Sequence, residues 1–165
     1  MVAASCCSPN VLAQSPGPSP PNLSGTWVPA NSEESDRLFN VGLTRIPGSG
    51  RLTIIQSSNR FTVTITMPDD RLDGAFANGR FDQTVIYRVY DSGRSGGAGA
   101  GKPPEVPPRT AWVDDRLIIP NAVTGAARPV TLIFSVEGER LRIETRVKVD
   151  ATRSNIIREF FTRVQ

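Results

Sequence analysis

VTLIFSVEGERLRIETRVKV, residues 130–149, is two strands and the turn between them. In its second half Leu141, Ile143, Val147 and Val149 alternate with Arg140, Arg142, Glu144, Arg146 and Lys148. A period of two is the signature of a strand with one face buried and one face wet. The first half, VTLIFSV, joins it through Glu137-Gly138-Glu139, a hairpin turn. The charged side of the second strand reads as a solvated exterior whose positive row is interrupted by Glu144.

The same pattern continues in both directions. NIIREFFTRV, residues 155–164, supplies a last strand, and TAWV and RLIIP form an earlier pair around Asp114-Asp115. In FDQTVIYRVY, residues 81–90, Phe81, Val85, Tyr87 and Val89 share a face with Gln83. In RFTVTIT, Phe61, Val63 and Ile65 oppose Thr62, Thr64 and Thr66, and Ser57-Ser58-Asn59 turns LTIIQ into it. Helical signal is confined to NSEESDRLF, residues 31–39, where Asn31 can cap and Glu34 sits at the reciprocal capping position. The expectation is an all-β fold: an antiparallel barrel of eight to nine strands, with one short helix near residues 31–39 across an end. Closure into a barrel removes the unpaired edges of such a sheet.

Composition narrows what the fold can do. The chain has 165 residues, enough for one domain with a sizeable core. Its 19 Lys+Arg and 16 Asp+Glu leave a formal +3, spread over several strands rather than massed in the basic patch that nucleic acid requires. There is no histidine, which removes imidazole metal sites, Ser-His-Asp and Cys-His catalysis and haem on a proximal His. The two cysteines, Cys6 and Cys7, precede the domain, so its body offers neither a disulfide nor a thiolate ligand. No metal or other cofactor is expected.

Residues 1–14, uncharged and ending in Val11-Leu12-Ala13, read as a truncated signal peptide, residues 15–22 as a Pro/Ser linker, and residues 23–165 as the barrel domain. This predicts export, to the periplasm or beyond. A lipid anchor on Cys6 is disfavoured because nothing hydrophobic precedes it. No run approaches the ~20 apolar residues of a transmembrane helix.

Two stretches imitate known ligand loops. GGAGAGKP, residues 96–103, has the G-x-x-x-x-G-K spacing of a phosphate cradle, but Pro103 stands where a Mg²⁺-binding hydroxyl belongs. Prolines 103, 104, 107 and 108 also forbid the helix that should follow. It reads as part of a flexible loop, residues 91–108, and no nucleotide is expected. DDRLDG, residues 69–74, fails as a calcium loop because Arg71 and Arg80 fall at ligand positions. Asp69, Asp70, Asp73, Asp114 and Asp115 read as turn residues.

NLSGTW, residues 22–27, followed by WVDDRLII and FSVEGERLRIETRV, resembles the lipocalin and avidin group of barrels, the calycins. Within that group it is similar to exported bacterial lipocalin-like proteins with a G-T-W start. The resemblance implies that Trp27 plugs one barrel end and that an Arg of the last strand, Arg158 or Arg163, packs across it as a structural partner. It also implies a small apolar ligand in the barrel, with Tyr87, Tyr90, Trp112, Phe134 and Phe160 as candidate lining residues. Two alternatives stand beside a carrier: a surface-interaction or envelope-associated structural domain, and a lumen enzyme using Tyr87 with Asp82 or Glu159. The composition leans against an enzyme.

Overall fold

A computed structural model describes residues 19–30, 38–68, 80–90 and 109–164. The expected signal segment with Cys6 and Cys7, residues 31–37 of the expected helix, the 69–74 acidic cluster and the 91–108 loop lie outside the described residues. Eleven strands are described: β1 (Gly25–Pro29), β2 (Leu38–Val41), β3 (Thr44–Pro47), β4 (Arg51–Gln56), β5 (Arg60–Pro68), β6 (Arg80–Arg88), β7 (Ala111–Val113), β8 (Arg116–Ile119), β9 (Val130–Glu137), β10 (Arg140–Lys148) and β11 (Ser154–Arg163). Nine of them form one antiparallel sheet in the order β6-β5-β4-β1-β11-β10-β9-β8-β7.

That order is two meanders, β4 to β6 and β7 to β11, joined by β1. Trp27 sits opposite Leu52 of β4 on one side and Arg163 of β11 on the other. The alternation read from sequence sets the faces. Leu141 pairs with Phe161 and Ile143 with Phe134, all fully buried, and Phe61, Val63 and Ile65 line the same interior from the other meander.

The sheet rolls until its two edges meet, but it does not zip. The edges are joined by an isolated parallel bridge, Tyr90 to Ala111, with the Tyr90 N–H donating to the Thr110 carbonyl at 2.9 Å. The expected barrel is therefore a rolled sheet with a seam between β6 and β7. Three-residue β7 is too short to carry a ladder along nine-residue β6.

One expectation changes at residues 38–39. Leu38 and Phe39, placed at the end of the helix by sequence, open β2, which pairs with β3 in a separate hairpin. Phe39, Val41 and Ile46 are buried in the core, an apolar alternation that the capping signals upstream obscured. Gly42 turns the hairpin at φ 65° and donates its N–H to Thr145 Oγ1 at 3.2 Å. The Phe39 ring lies 6.1 Å from that of Phe161, and Glu159 Oε1 accepts from Asn40 N and Nδ2 at 3.4 Å each. The hairpin thus lies inside the roll, held to its β10–β11 wall.

The opposite end is closed around Trp27, which is 2% exposed. Its indole N–H donates to the Leu23 carbonyl at 3.0 Å. Arg163 lies over the ring at 4.6 Å and donates to the Asn22 carbonyl at 3.1 Å. Gly25, at φ 141°, gives the backbone a conformation that L side chains rarely adopt, directly beside the Arg163 side chain. Arg158, the other arginine considered, is engaged elsewhere: its Nε donates to Glu144 at 2.8 Å. Gln56 stitches the entry segment down, accepting from Leu23 N at 2.9 Å and donating to the Pro21 carbonyl at 3.1 Å.

Trp27→Ala is expected to cost about 3–5 kcal/mol by urea unfolding, since it empties a fully packed aromatic site. Arg163→Gln should cost about 0.5–2 kcal/mol, the worth of a cation held over an indole. Equal stability of wild type and Trp27→Ala would show that the end is closed without the indole.

Candidate functional site

Between the walls of the roll remains a cavity of about 280 Å³. Val63, Ile65, Val85 and Tyr87 line it from β5 and β6, and Leu132 and Phe134 from β9. The β2–β3 turn and residues 122–124 roof it, which places it at the end opposite Trp27.

Among the described residues no Asp, Glu, Lys or Arg lines this space. Its polar groups are neutral. Tyr87 donates its hydroxyl to the Ala122 carbonyl at 3.4 Å across the seam, and Thr44 Oγ1 donates to Gln83 Oε1 at 3.4 Å. Burial raises the Tyr87 phenol above its usual value, so it stays protonated and able to donate at physiological pH. A neutral donor, a neutral amide and an otherwise hydrocarbon wall can orient one polar atom of an apolar guest.

The residues singled out from sequence divide among three places. Tyr87 and Phe134 line the cavity, with Phe134 packed edge-on against Phe61 at 5.1 Å. Tyr90 and Trp112 instead line an open cleft of about 670 Å³ at the Trp27 end, beside Asn22, Ser24 and the β4–β5 turn. Phe160 lines neither. It pairs with Arg142 in the outward-facing row, and Phe161 takes the interior position. Parity along β11 decides this, because two adjacent phenylalanines leave the register ambiguous until the partners of β10 are known. Among the cavity residues that sequence did not single out, Gly42, Leu43 and Ala122 to Thr124 lie in turns whose position in space alternation cannot reveal.

The pair proposed for acid-base work is not assembled. Asp82 is on the outer face, where Thr66 Oγ1 donates to it at 2.7 Å. Glu159 faces inward but is committed to the β2 backbone and Asn40.

The basic exterior of β10 also differs from its expected form. Glu144, on the outward side, is 1% exposed. It receives Arg142 Nη2 at 2.9 Å, Arg146 Nε at 2.5 Å and Arg158 Nε at 2.8 Å, and Glu137 takes the other end of Arg142. Three arginine side chains bury one carboxylate. Burial alone would raise its pKa, but the hydrogen bonds from Arg158, Arg146 and Arg142 outweigh that and hold it at about 2. Asp150, in the β10–β11 turn, is also held at about 2, first by the Thr152 N–H, then by Arg153.

No protein-family model matches the sequence, and no curated protein matches it. Among solved structures the chain is similar to the crystal structure of fluorescent protein UnaG, wild type. The two are 13% identical with a TM-score of 0.46, over 86% of this chain and 97% of that one.

Both depressed carboxylates contribute stability that is present above their unfolded values, near 4.5 and 3.8, and lost as pH falls toward about 2. Acid unfolding followed by circular dichroism should therefore occur between those limits. Glu144→Gln should flatten that transition and cost about 1–2 kcal/mol at pH 7, a buried-pair loss discounted because Arg158 is half-exposed.

Proposed function

We propose that the protein binds a small, mostly apolar molecule in the internal cavity. What carries this reading is a partly open space inside the roll whose described lining is uncharged and mostly of apolar side chains. At about 30 Å³ per non-hydrogen atom it holds a guest of roughly ten such atoms. The guest's single polar atom would meet the Tyr87 hydroxyl or the Gln83 amide, and its hydrocarbon would meet Val63, Ile65, Val85 and Leu132. Entry would be through the seam or past the β2–β3 turn, where few main-chain hydrogen bonds must open. The uncharged, small-residue start of the chain supports export, so the protein would work as a binder outside the cytoplasm.

1-Octanol is a suitable probe, with nine non-hydrogen atoms and one hydroxyl. Calorimetric titration should show one saturable site with a negative heat-capacity change. Val85→Trp, which fills the cavity, should abolish binding while the protein stays folded. Tyr87→Phe should weaken octanol by about 3- to 10-fold, the net worth of one neutral hydrogen bond. Failure of octanol to bind, together with native mass spectra of protein from its own host free of any retained small molecule, would sink the reading.

A further inference from the structure

The cleft at the Trp27 end is unlike the cavity in every chemical respect. It is open to solvent, more than twice as large, and lined by seryl hydroxyls at 19, 24, 57 and 58 beside the half-buried Trp112. Among the described residues no acidic side chain lines it. At its edge Tyr90 holds two guanidiniums, with Arg88 at 5.5 Å and Arg109 at 5.1 Å from the ring centroid. Among the described residues no carboxylate pairs with either arginine.

Two cations gathered on one ring repel each other, and the tyrosine quadrupole only partly offsets this. An arriving anion would remove the repulsion. The fork of a guanidinium fits a carboxylate through paired N–H donors. Ser24 Oγ keeps its proton to give after accepting from Gln56 N, and Ser57 Oγ keeps its lone pairs after donating to the Arg60 carbonyl, so with Ser19 and Ser58 this wall favours a ligand that itself presents hydroxyls. A nucleobase fits less well, because Gln56 is engaged with Leu23 and Pro21 and Asn22 Oδ1 accepts from Ser24 N, which leaves Asn22 Nδ2 as the main amide donor to read its edge.

We propose that this cleft is a second binding site, for a saccharide carrying carboxylate groups, with a ring face against Trp112 and a carboxylate between Arg88 and Arg109. At about 30 Å³ per atom the space accommodates roughly two sugar rings. The site is on the opposite end of the roll from the cavity and does not depend on what the cavity binds.

The two tryptophans make the test direct. In an amide-correlation NMR spectrum each gives one indole N–H signal, assigned with Trp112→Phe. Digalacturonate at millimolar concentration should shift the Trp112 signal and leave that of buried Trp27 in place, with affinity falling as salt rises. Maltose and inorganic phosphate should each bind at least about tenfold more weakly, since each offers only half of the recognition. The double variant R88Q/R109Q should lose about tenfold or more in digalacturonate affinity while keeping the Trp27 signal and 1-octanol binding. If that variant fails to fold, Ser58→Trp, on an exposed turn, obstructs the cleft instead and should abolish the shift. No shift with digalacturonate, equal binding of maltose or of phosphate, preference for AMP, or indifference to R88Q/R109Q or to Ser58→Trp would each overturn the proposal.

Discussion

β1 is five residues long, yet it is the strand that makes one sheet out of two meanders, and so the whole arrangement depends on how Trp27 is held within it. The indole has three constraints at once: a hydrogen bond to Leu23, a guanidinium over its face from the last strand, and Leu52 beside it in β4. Each constraint ties a different part of the chain to the same ring. A strand this short offers few ladder hydrogen bonds, so the burial of one large aromatic, worth several kcal/mol, is what makes its position unique.

With that end fixed, the other end is free to be imperfect. The β2–β3 hairpin enters the roll and fills the part nearest β10 and β11, adding Phe39, Val41 and Ile46 to the common core. It leaves the part nearest β6 unfilled. Glu159 and Thr145 are the inward polar groups that make this possible, because they satisfy backbone and side-chain donors of the hairpin that would otherwise be buried without partners. A carboxylate that looks catalytic by its burial is here a fastener for the hairpin.

Most strands were legible because alternation is a local property: a run such as Leu141-Arg142-Ile143 declares its faces without knowing its neighbours. Trp27 was legible through its Gly-x-Trp context, although choosing between Arg158 and Arg163 needed the register against β1 and β10. Features that depend on three-dimensional closure were not. The seam arises from a mismatch in strand length between β6 and β7, the cleft from turns meeting at one end, and the burial of Glu144 from arginines on two strands. Glu144 in particular looks exposed from the alternation of β10 alone, since an outward position is normally wet, and only the cross-strand partner Arg158 completes its cover.

The arginine over Trp27 also bears on how the chain reaches this shape. Arg163 and Asn22, which it touches, are separated by 141 positions. The C-terminal meander can form from neighbours in sequence as it leaves the ribosome. The seating of β1 cannot, because its partner on one side lies more than a hundred residues downstream. Docking of β1 against β11 must therefore wait until β11 has been made and bear a large loop-closure entropy, so the tryptophan end should be the last to form and the slow step in assembly. Until then the facing edges of β1 and β11 are both exposed, and this is the interval in which a nascent chain is most open to wrong pairing with another copy.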